Sequence, residues 1–198
     1  MNNSRKYTSF ITRVSVLAAL AFVIMLLEIR IPFFPDFLKI DLSDIPALLA
    51  AFAMGPWSAV AVELIKNLLH LMKAETAGIG EMANFLVGSS LVIPAGYIYK
   101  YMKNKKGAFV SLVAGTITMA VFASLFNYFV LLPLYAVVLK FPIEAIVGLG
   151  TKVNSNITNV KTLIVFAILP FNIIKGVIVS IFVMLMYKKL SPLLHPKH

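Results

Sequence analysis

Cysteine is absent from this chain of 198 residues, and charged residues make up only 13% of it. The missing cysteines exclude disulfide bonds, thiolate metal sites and thiol catalysis. The three histidines do not follow a metal-ligand spacing, and no nucleophile is accompanied by a suitable base. We therefore predict no catalytic residue and no metal site, and the chain is not expected to be an enzyme.

A nucleotide-binding loop is also missing. The nearest approach, Gly148-Leu149-Gly150-Thr151-Lys152, lacks the order Gly-Lys-Ser/Thr that cradles a phosphate. The two halves of the chain show no clear internal repeat of the kind found in many gradient-driven carriers. If the protein accumulates a solute, the energy is therefore expected to come from a partner or from an ion gradient.

Apolar residues dominate what is present. They account for 60% of the chain, and the mean hydropathy is +0.92. The apolar runs are long and continuous, without the two-residue alternation of membrane barrels. We predict an all-α, polytopic membrane protein with one membrane domain over residues 1–198 and six transmembrane helices. The predicted spans cover about residues 8–29, 44–54, 56–72, 80–102, 107–139 and 160–187.

The basic residues are distributed unevenly between the two ends of the predicted bundle. Six spans place ten basic residues on one side, with no acidic residue among them: Arg5, Lys6, Arg13, Lys100, Lys103, Lys105, Lys106, Lys188, Lys189 and Lys197. Cytoplasmic segments are enriched in Lys and Arg, so both termini are predicted to be cytoplasmic in a multi-pass plasma-membrane protein. The net charge of +10 is thus a topology signal and not an indication of nucleic-acid binding.

Lys175 is the most informative single residue. It lies within the apolar run of residues 163–187, three positions after Asn172. An ionisable group near mid-membrane is costly unless it meets a partner, a cavity or a ligand. Two interpretations remain open: Lys175 and Asn172 contact a ligand, or Lys175 is neutralised by Glu63. Glu63 is also three residues from Lys66 and can pair with it on one helical face.

Further polar residues are predicted near the non-cytoplasmic side. Asn84 lies near that end of the fourth span, and Asn127 lies in the same half of the fifth. Together with Asn172 and Lys175 they can converge on one cavity. Amides and a single ammonium suit a neutral solute rich in hydroxyl and carbonyl groups. The alternative is that the asparagines only join helices by hydrogen bonds.

The loop after the first span is unusually apolar. It runs Phe-Phe-Pro-Asp-Phe-Leu-Lys-Ile-Asp over residues 33–41. Such a loop can cover a cavity, with Phe37 and Leu38 against a ligand and Lys39 or Asp41 at its polar edge. The alternative is a loop that lies at the lipid interface, where aromatic residues are common.

Small residues form a patch on the first span. Ser15 and Ala19 lie one turn apart, and Ala18 is beside them. Such a patch allows another helix to approach closely. It can serve as a docking face for a separate protein or as an internal packing face.

Four segments of the chain, in order, resemble the riboflavin-specific substrate-binding (S) component of energy-coupling factor (ECF) transporters. They are FLKIDLSDIPALLAAFAMGP (37–56), VELIKNLLH (62–70), FNYFVLLPLY (126–135) and PFNIIKG (170–176). The resemblance covers essentially the whole chain. It implies a six-helix membrane protein that captures riboflavin from the outer side, under the loop after the first span.

The resemblance also implies partners and site residues. A transmembrane T component and two cytoplasmic ATPase subunits would supply the ATP chemistry, and riboflavin would be the transported ligand, so that no cofactor is expected. The predicted ligand-binding residues are Leu38, Lys39, Asn84, Asn127, Tyr128, Asn172 and Lys175. The predicted docking residues are Ser15, Ala18 and Ala19, where serine replaces one small residue of the family's alanine-rich pattern. The alternatives are an S component for another vitamin and a self-contained proton-coupled carrier.

Overall fold

A computed structural model of the protein describes the backbone of residues 3–194 and the side chains of residues 7–187. Its helices are α1 (Asn3–Met25), α2 (Asp44–Met54), α3 (Pro56–His70), α4 (Ile79–Tyr101), α5 (Lys105–Phe126), α6 (Leu132–Val138), α7 (Ile143–Val153), α8 (Val160–Leu163) and α9 (Leu169–Leu194). A 3-10 turn, Leu71–Lys73, follows α3. Two short strands, β1 (Ile29–Arg30) and β2 (Lys39–Ile40), pair antiparallel as a hairpin, which we call the lid hairpin.

Two of the helical rods contain a π-helical turn. Asn127–Leu131 joins α5 to α6, and Ile164–Ile168 joins α8 to α9. Pro133 and Pro170 follow these turns by two residues. Proline has no N–H, and its ring clashes with the carbonyl one turn back, so the wider turn accommodates it without ending the helix. The first of these turns begins at Asn127, a residue predicted to bind ligand.

Helix α2 lies at the centre of the bundle. It contacts α1, α3, α4 and α9, and nine of its eleven residues are buried. A helix that is hydrophobic on all sides is stable only when it is surrounded in this way. At about 1.5 Å per residue, eleven residues span only about half of a ~30 Å hydrocarbon core. If Gly55, which turns the chain at φ 100°, lies near one membrane surface, the start of α2 is near mid-membrane.

The described helices agree with the predicted all-α membrane class. Four helical segments in residues 7–187 are long and apolar enough to cross a membrane: Tyr7–Met25, Ile79–Tyr101, Lys105–Val138 and Val160–Tyr187. The short helix α2 has the bounds expected for the second span. Two features differ from expectation: α1 ends at Met25 because the chain then turns into the lid hairpin, and α7 lies in a segment expected to be a loop.

Candidate ligand-binding cavity

One end of the bundle contains a cavity of about 470 Å³ beneath the lid hairpin. This volume is in the range of about 300–1,000 Å³ typical of small-molecule sites. The lid hairpin, α4, the α5–α6 rod, α7 and α9 all contribute to its wall. Its apolar lining includes Phe37, Leu38, Leu131, Leu132, Ile146 and Phe171. The cavity therefore combines a broad apolar wall with a few polar groups, which are described next.

Three amide side chains line this cavity. Asn127 donates from Nδ2 to the carbonyl of Ala123 at 2.8 Å, and Asn172 donates to the carbonyl of Ile168 at 2.8 Å. Both bonds go one turn back along the same helix, which holds each amide group in place. Each amide retains a second N–H and its carbonyl oxygen for other partners. Asn84 instead accepts from Asn67 Nδ2 at 3.3 Å.

The ammonium group of Lys175 is shared between the cavity and two buried carboxylates. Its Nζ lies 3.1 Å from Asp41 Oδ2 and 3.1 Å from Asp44 Oδ2. Lys175 also lines the cavity and is 6% exposed. An ammonium carries three N–H donors, so the two carboxylates leave one for a ligand.

The hypothesis that Lys175 is neutralised by Glu63 is wrong in this structure. The carboxyl group of Glu63 lies 2.8 Å from Lys66 Nζ, within α3. The partners of Lys175 are instead Asp41, in the segment that links the lid hairpin to α2, and Asp44, the first residue of α2. This pairing joins residues 134 positions apart in the sequence, Asp41 and Lys175.

Asp41 anchors the base of the lid hairpin. Its Oδ1 accepts from the backbone N–H of Ser43 at 2.9 Å and from the Ser43 hydroxyl. Burial alone would raise the pKa of Asp41, but the ammonium groups of Lys175 and Lys66, with hydrogen bonding, together outweigh it and hold that pKa below its usual range. Asp41 is therefore ionised at neutral pH, and its charge fixes the position of the Lys175 ammonium.

The loop of the lid hairpin contributes apolar residues to the wall of the cavity. Phe37 and Leu38 pack on the apolar cluster that contains Leu132 and Ile146. Phe34 meets the ring of Phe171 edge-on, with centroids 5.4 Å apart. These contacts tie the hairpin to α6, α7 and α9.

Lys39 lies at the polar edge of the same hairpin. Its Nζ is 2.5 Å from Glu28 Oε1 and 3.7 Å from Glu75 Oε2. Leu38 and Lys39 both line the cavity, as do Asn84, Asn127, Asn172 and Lys175.

One predicted ligand-binding residue and one predicted docking residue do not lie where their roles require. Tyr128 is not among the residues that line the cavity, and its ring packs edge-on against Phe129, with centroids 4.8 Å apart. Ala18 is fully buried, on the face of α1 that packs into the bundle. Ser15 and Ala19 lie on an exposed face. The small-residue patch of α1 thus divides into an internal side and an external side.

Sequence reasoning missed several residues of the cavity. Tyr135 and Phe171 line it, and so do His70 and Glu81, which pair at 2.9 Å from Nδ1 to Oε1. Tyr135 lies two turns after Asn127 along the same rod, so extending the polar face of that helix would have found it. The His70–Glu81 pair joins the end of α3 to the start of α4, which no local pattern reveals.

An all-helical membrane bundle with a covered cavity of this composition defines a solute-binding membrane protein. A family model for the substrate-specific component of ECF transporters matches residues 9–187. The chain belongs to this family.

Its relatives are transporters and not enzymes. The riboflavin transporter RibU of Staphylococcus aureus (strain TCH60) is 39% identical over 178 residues, covering 90% of this chain and 88% of that protein. The riboflavin transporter FmnP of Bacillus subtilis (strain 168) is 39% identical over 182 residues, covering 90% of each. A solved S component of a bacterial ECF transporter matches with a TM-score of 0.74 and 36% identity, covering 95% of this chain and 98% of that one.

Proposed function

We propose that the protein is the high-affinity riboflavin-binding subunit of an ECF-type vitamin uptake transporter. The observation that carries this proposal is the composition of the cavity: an apolar wall beside fixed amides and one shared ammonium. The names of the relatives with 39% identity support riboflavin as the ligand.

The chemistry of riboflavin suits this lining. Its flat ring system requires an apolar slot, which Leu38, Leu131 and Phe171 offer. Its carbonyl edge and the four hydroxyl groups of its ribityl chain require donors and acceptors, which the amides and Lys175 offer. We therefore place Leu38, Lys39, Asn84, Asn127, Asn172 and Lys175 in the binding site and replace Tyr128 by Tyr135.

The proposed topology has six spans: α1, α2, α3, α4, the α5–α6 rod and the α8–α9 rod. The uneven distribution of basic residues supports cytoplasmic termini. The cavity lies at the opposite end from the termini in such an arrangement, so riboflavin would be captured from the outer side.

Delivery of the vitamin would require partners. We propose a transmembrane T component and two cytoplasmic ATPase subunits, as membership in the family implies. The proposed docking face on α1 contains Ser15 and Ala19, which are exposed, and excludes Ala18, which is buried. Small exposed residues allow a partner helix to approach closely within the bilayer.

Binding is tested by titrating the detergent-purified protein with riboflavin, thiamine and biotin separately. Riboflavin is expected to bind at one site, with its fluorescence quenched in the cavity, and the protein is expected to be yellow if the vitamin co-purifies. Tighter binding of thiamine or biotin would overturn the assignment of the ligand while leaving the family unchanged.

Transport is tested in proteoliposomes. The chain alone should bind riboflavin without concentrating it, and accumulation should require the partner subunits and ATP. Accumulation driven by a proton gradient in the absence of partners would support a self-contained carrier instead.

A further inference from the structure

The ionisable side chains around the start of α2 form a buried network that is not balanced in charge. Three carboxyl groups, those of Asp41, Asp44 and Glu63, share the two ammonium groups of Lys66 and Lys175. Each of the five residues is at most 6% exposed. In their ordinary ionisation states they would leave one negative charge in excess. An uncompensated charge is strongly unfavourable in the interior of a membrane bundle.

Glu63 is the carboxyl group with the least compensation. Lys66 Nζ donates to Ser43 Oγ at 2.8 Å and to Asp44 Oδ1 at 2.6 Å. It lies 2.8 Å from Glu63 Oε2 as an ion pair, without a hydrogen bond to that oxygen. Both carboxyl oxygens of Glu63 are therefore without a hydrogen-bond partner among the described residues, and the same holds for the nearby Asn67 Oδ1. All three of these oxygens are acceptors, so the surroundings of Glu63 lack a hydrogen-bond donor.

Among the residues whose side chains are described, the helices packed on α3 provide no further positive charge near Glu63. Helix α4 packs closely against Glu63 at Gly88. A Cβ added at Gly88 would lie 2.4 Å from Glu63 Oε2. Helix α1 packs against α3 with a buried face that is apolar over residues 14–25. His70 of α3 and Glu81 of α4 form a titratable pair that joins these two helices. This pair lies at the cavity, about two helical turns from Glu63.

We propose that Glu63 is a proton-binding site: its carboxyl group holds one exchangeable proton on Oε1 at neutral pH, and this proton keeps the Lys175 ammonium available to the ligand. The proton balances the network, because two carboxylates then face two ammonium groups. It is bound and not transported, which distinguishes this site from the relay of a proton-coupled carrier.

The network transmits the state of Glu63 to the cavity. Loss of the proton would draw Lys66 toward Glu63 and away from Asp44. Asp44 would then rely more strongly on Lys175, whose remaining N–H would be less available to a ligand. This consequence rests on the proposed function, whereas the proton itself does not.

The proton is tested first without any ligand, by infrared spectroscopy of the purified protein. At about pH 7 the wild type should show the carbonyl stretch of a buried protonated carboxyl group, and this band should be missing from Glu63→Gln. The band should also disappear from the wild type in alkaline solution, a measurement that requires no variant. A spectrum identical in the wild type and a folded Glu63→Gln protein would overturn the proposal.

The link to the cavity is tested by measuring riboflavin affinity from about pH 7 to about pH 9, where ordinary carboxyl groups do not titrate. The wild-type affinity should fall about fivefold or more, a typical size for coupling between two sites, while Glu63→Gln should stay constant. Glu144→Gln, which removes an exposed carboxyl group outside the cavity, is the control and should retain the wild-type pH dependence.

The outcomes separate the two proposals. Equal pH dependence of riboflavin affinity in the wild type and Glu63→Gln would refute the link between Glu63 and the cavity. Dependence of riboflavin affinity on Na⁺ would show that a metal cation, and not a proton, balances the network. If riboflavin does not bind at all, the proposed function fails, while the infrared band still decides whether Glu63 holds a proton.

Discussion

Lys175 offers the sharpest test of how the buried network serves the cavity. In the Lys175→Met variant the side chain keeps its length but loses its charge. Asp41 and Asp44 lie 3.1 Å from the ammonium in the native protein. Without it, Asp44 would keep Lys66, and Asp41 would lose its ammonium partner among the described residues. Breaking a buried charge pair by removing one partner costs about 3–5 kcal/mol. We expect a loss of this size in stability, measured as a lower thermal unfolding midpoint in detergent.

Binding should be lost as well, for a separate reason. Lys175 lines the cavity, and its two carboxylate partners leave one N–H for a ligand. A hydrogen bond to a charged group contributes about 1.5–3 kcal/mol. Its loss corresponds to a dissociation constant for riboflavin that is weaker by about 10-fold to about 150-fold. The first effect lowers the stability of the fold, and the second lowers the affinity for riboflavin.

A second substitution separates them. Asp41→Asn removes one negative charge, and its amide oxygen can still accept the 2.9 Å bond from the Ser43 N–H. The double variant Lys175→Met/Asp41→Asn is again balanced in charge, so it should regain about 2–3 kcal/mol of stability relative to the sum of the single changes. Riboflavin affinity should remain weak, because the cavity still lacks the ammonium.

The matched control is Lys66→Met. Lys66 is fully buried in the same network but does not line the cavity. Its replacement should reduce stability by a similar amount. The folded fraction should lose much less riboflavin affinity than Lys175→Met, because the ammonium stays at the cavity although Asp44 then relies on it alone. Full recovery of affinity in the double variant would refute the role of Lys175 in binding, and an undiminished stability of Lys175→Met would refute the charge pairing.

Three further changes test other parts of the structure. Ala19→Leu should leave riboflavin binding intact but weaken co-purification with the T component, whereas Ala18→Leu should overpack the bundle and cost about 1–3 kcal/mol of stability. Gly88→Ala should lower the unfolding midpoint because its Cβ would meet the buried carboxyl group of α3 at 2.4 Å, whereas Gly148→Ala, with nothing within 4 Å, should not. Asn172→Leu should weaken riboflavin binding by about 2-fold to about 13-fold, since its bonds are neutral, and an unchanged isotherm would remove it from the site.

Much of the fold follows from the sequence, because the physical signals are local. Long apolar runs predict membrane helices, and Gly55-Pro56 predicts the turn that separates α2 from α3. Polar residues within such runs are rare and costly, so they indicate a cavity or a partner. For this reason Asn127, Asn172 and Lys175 were predicted near one another, and all three line the same cavity.

The features that escaped prediction depend on contacts between distant segments. Helix α7 follows Phe141-Pro142 in a segment that reads as a loop between spans, and it is fixed by packing of Ile146 against the cluster that includes Leu132. The partners of Lys175 were not predicted, because the sequence pattern placed Asp41 and Asp44 among the charges of a loop outside the membrane. Only the shortness of α2 hinted otherwise, since a helix of eleven residues must begin well inside the membrane.

The buried network is better explained by positioning than by stability. Replacing a buried ion pair by apolar residues of similar volume often leaves the free energy of unfolding unchanged or raises it. This network, however, draws its members from the base of the lid hairpin, from α2, from α3 and from α9, so it fixes the relative positions of four segments. The same bonds hold the Lys175 ammonium at the cavity wall before a ligand arrives. A site whose polar groups are already oriented loses less conformational freedom on binding. We therefore infer that the charges are retained because they preorganise the cavity and attach the lid hairpin to its floor.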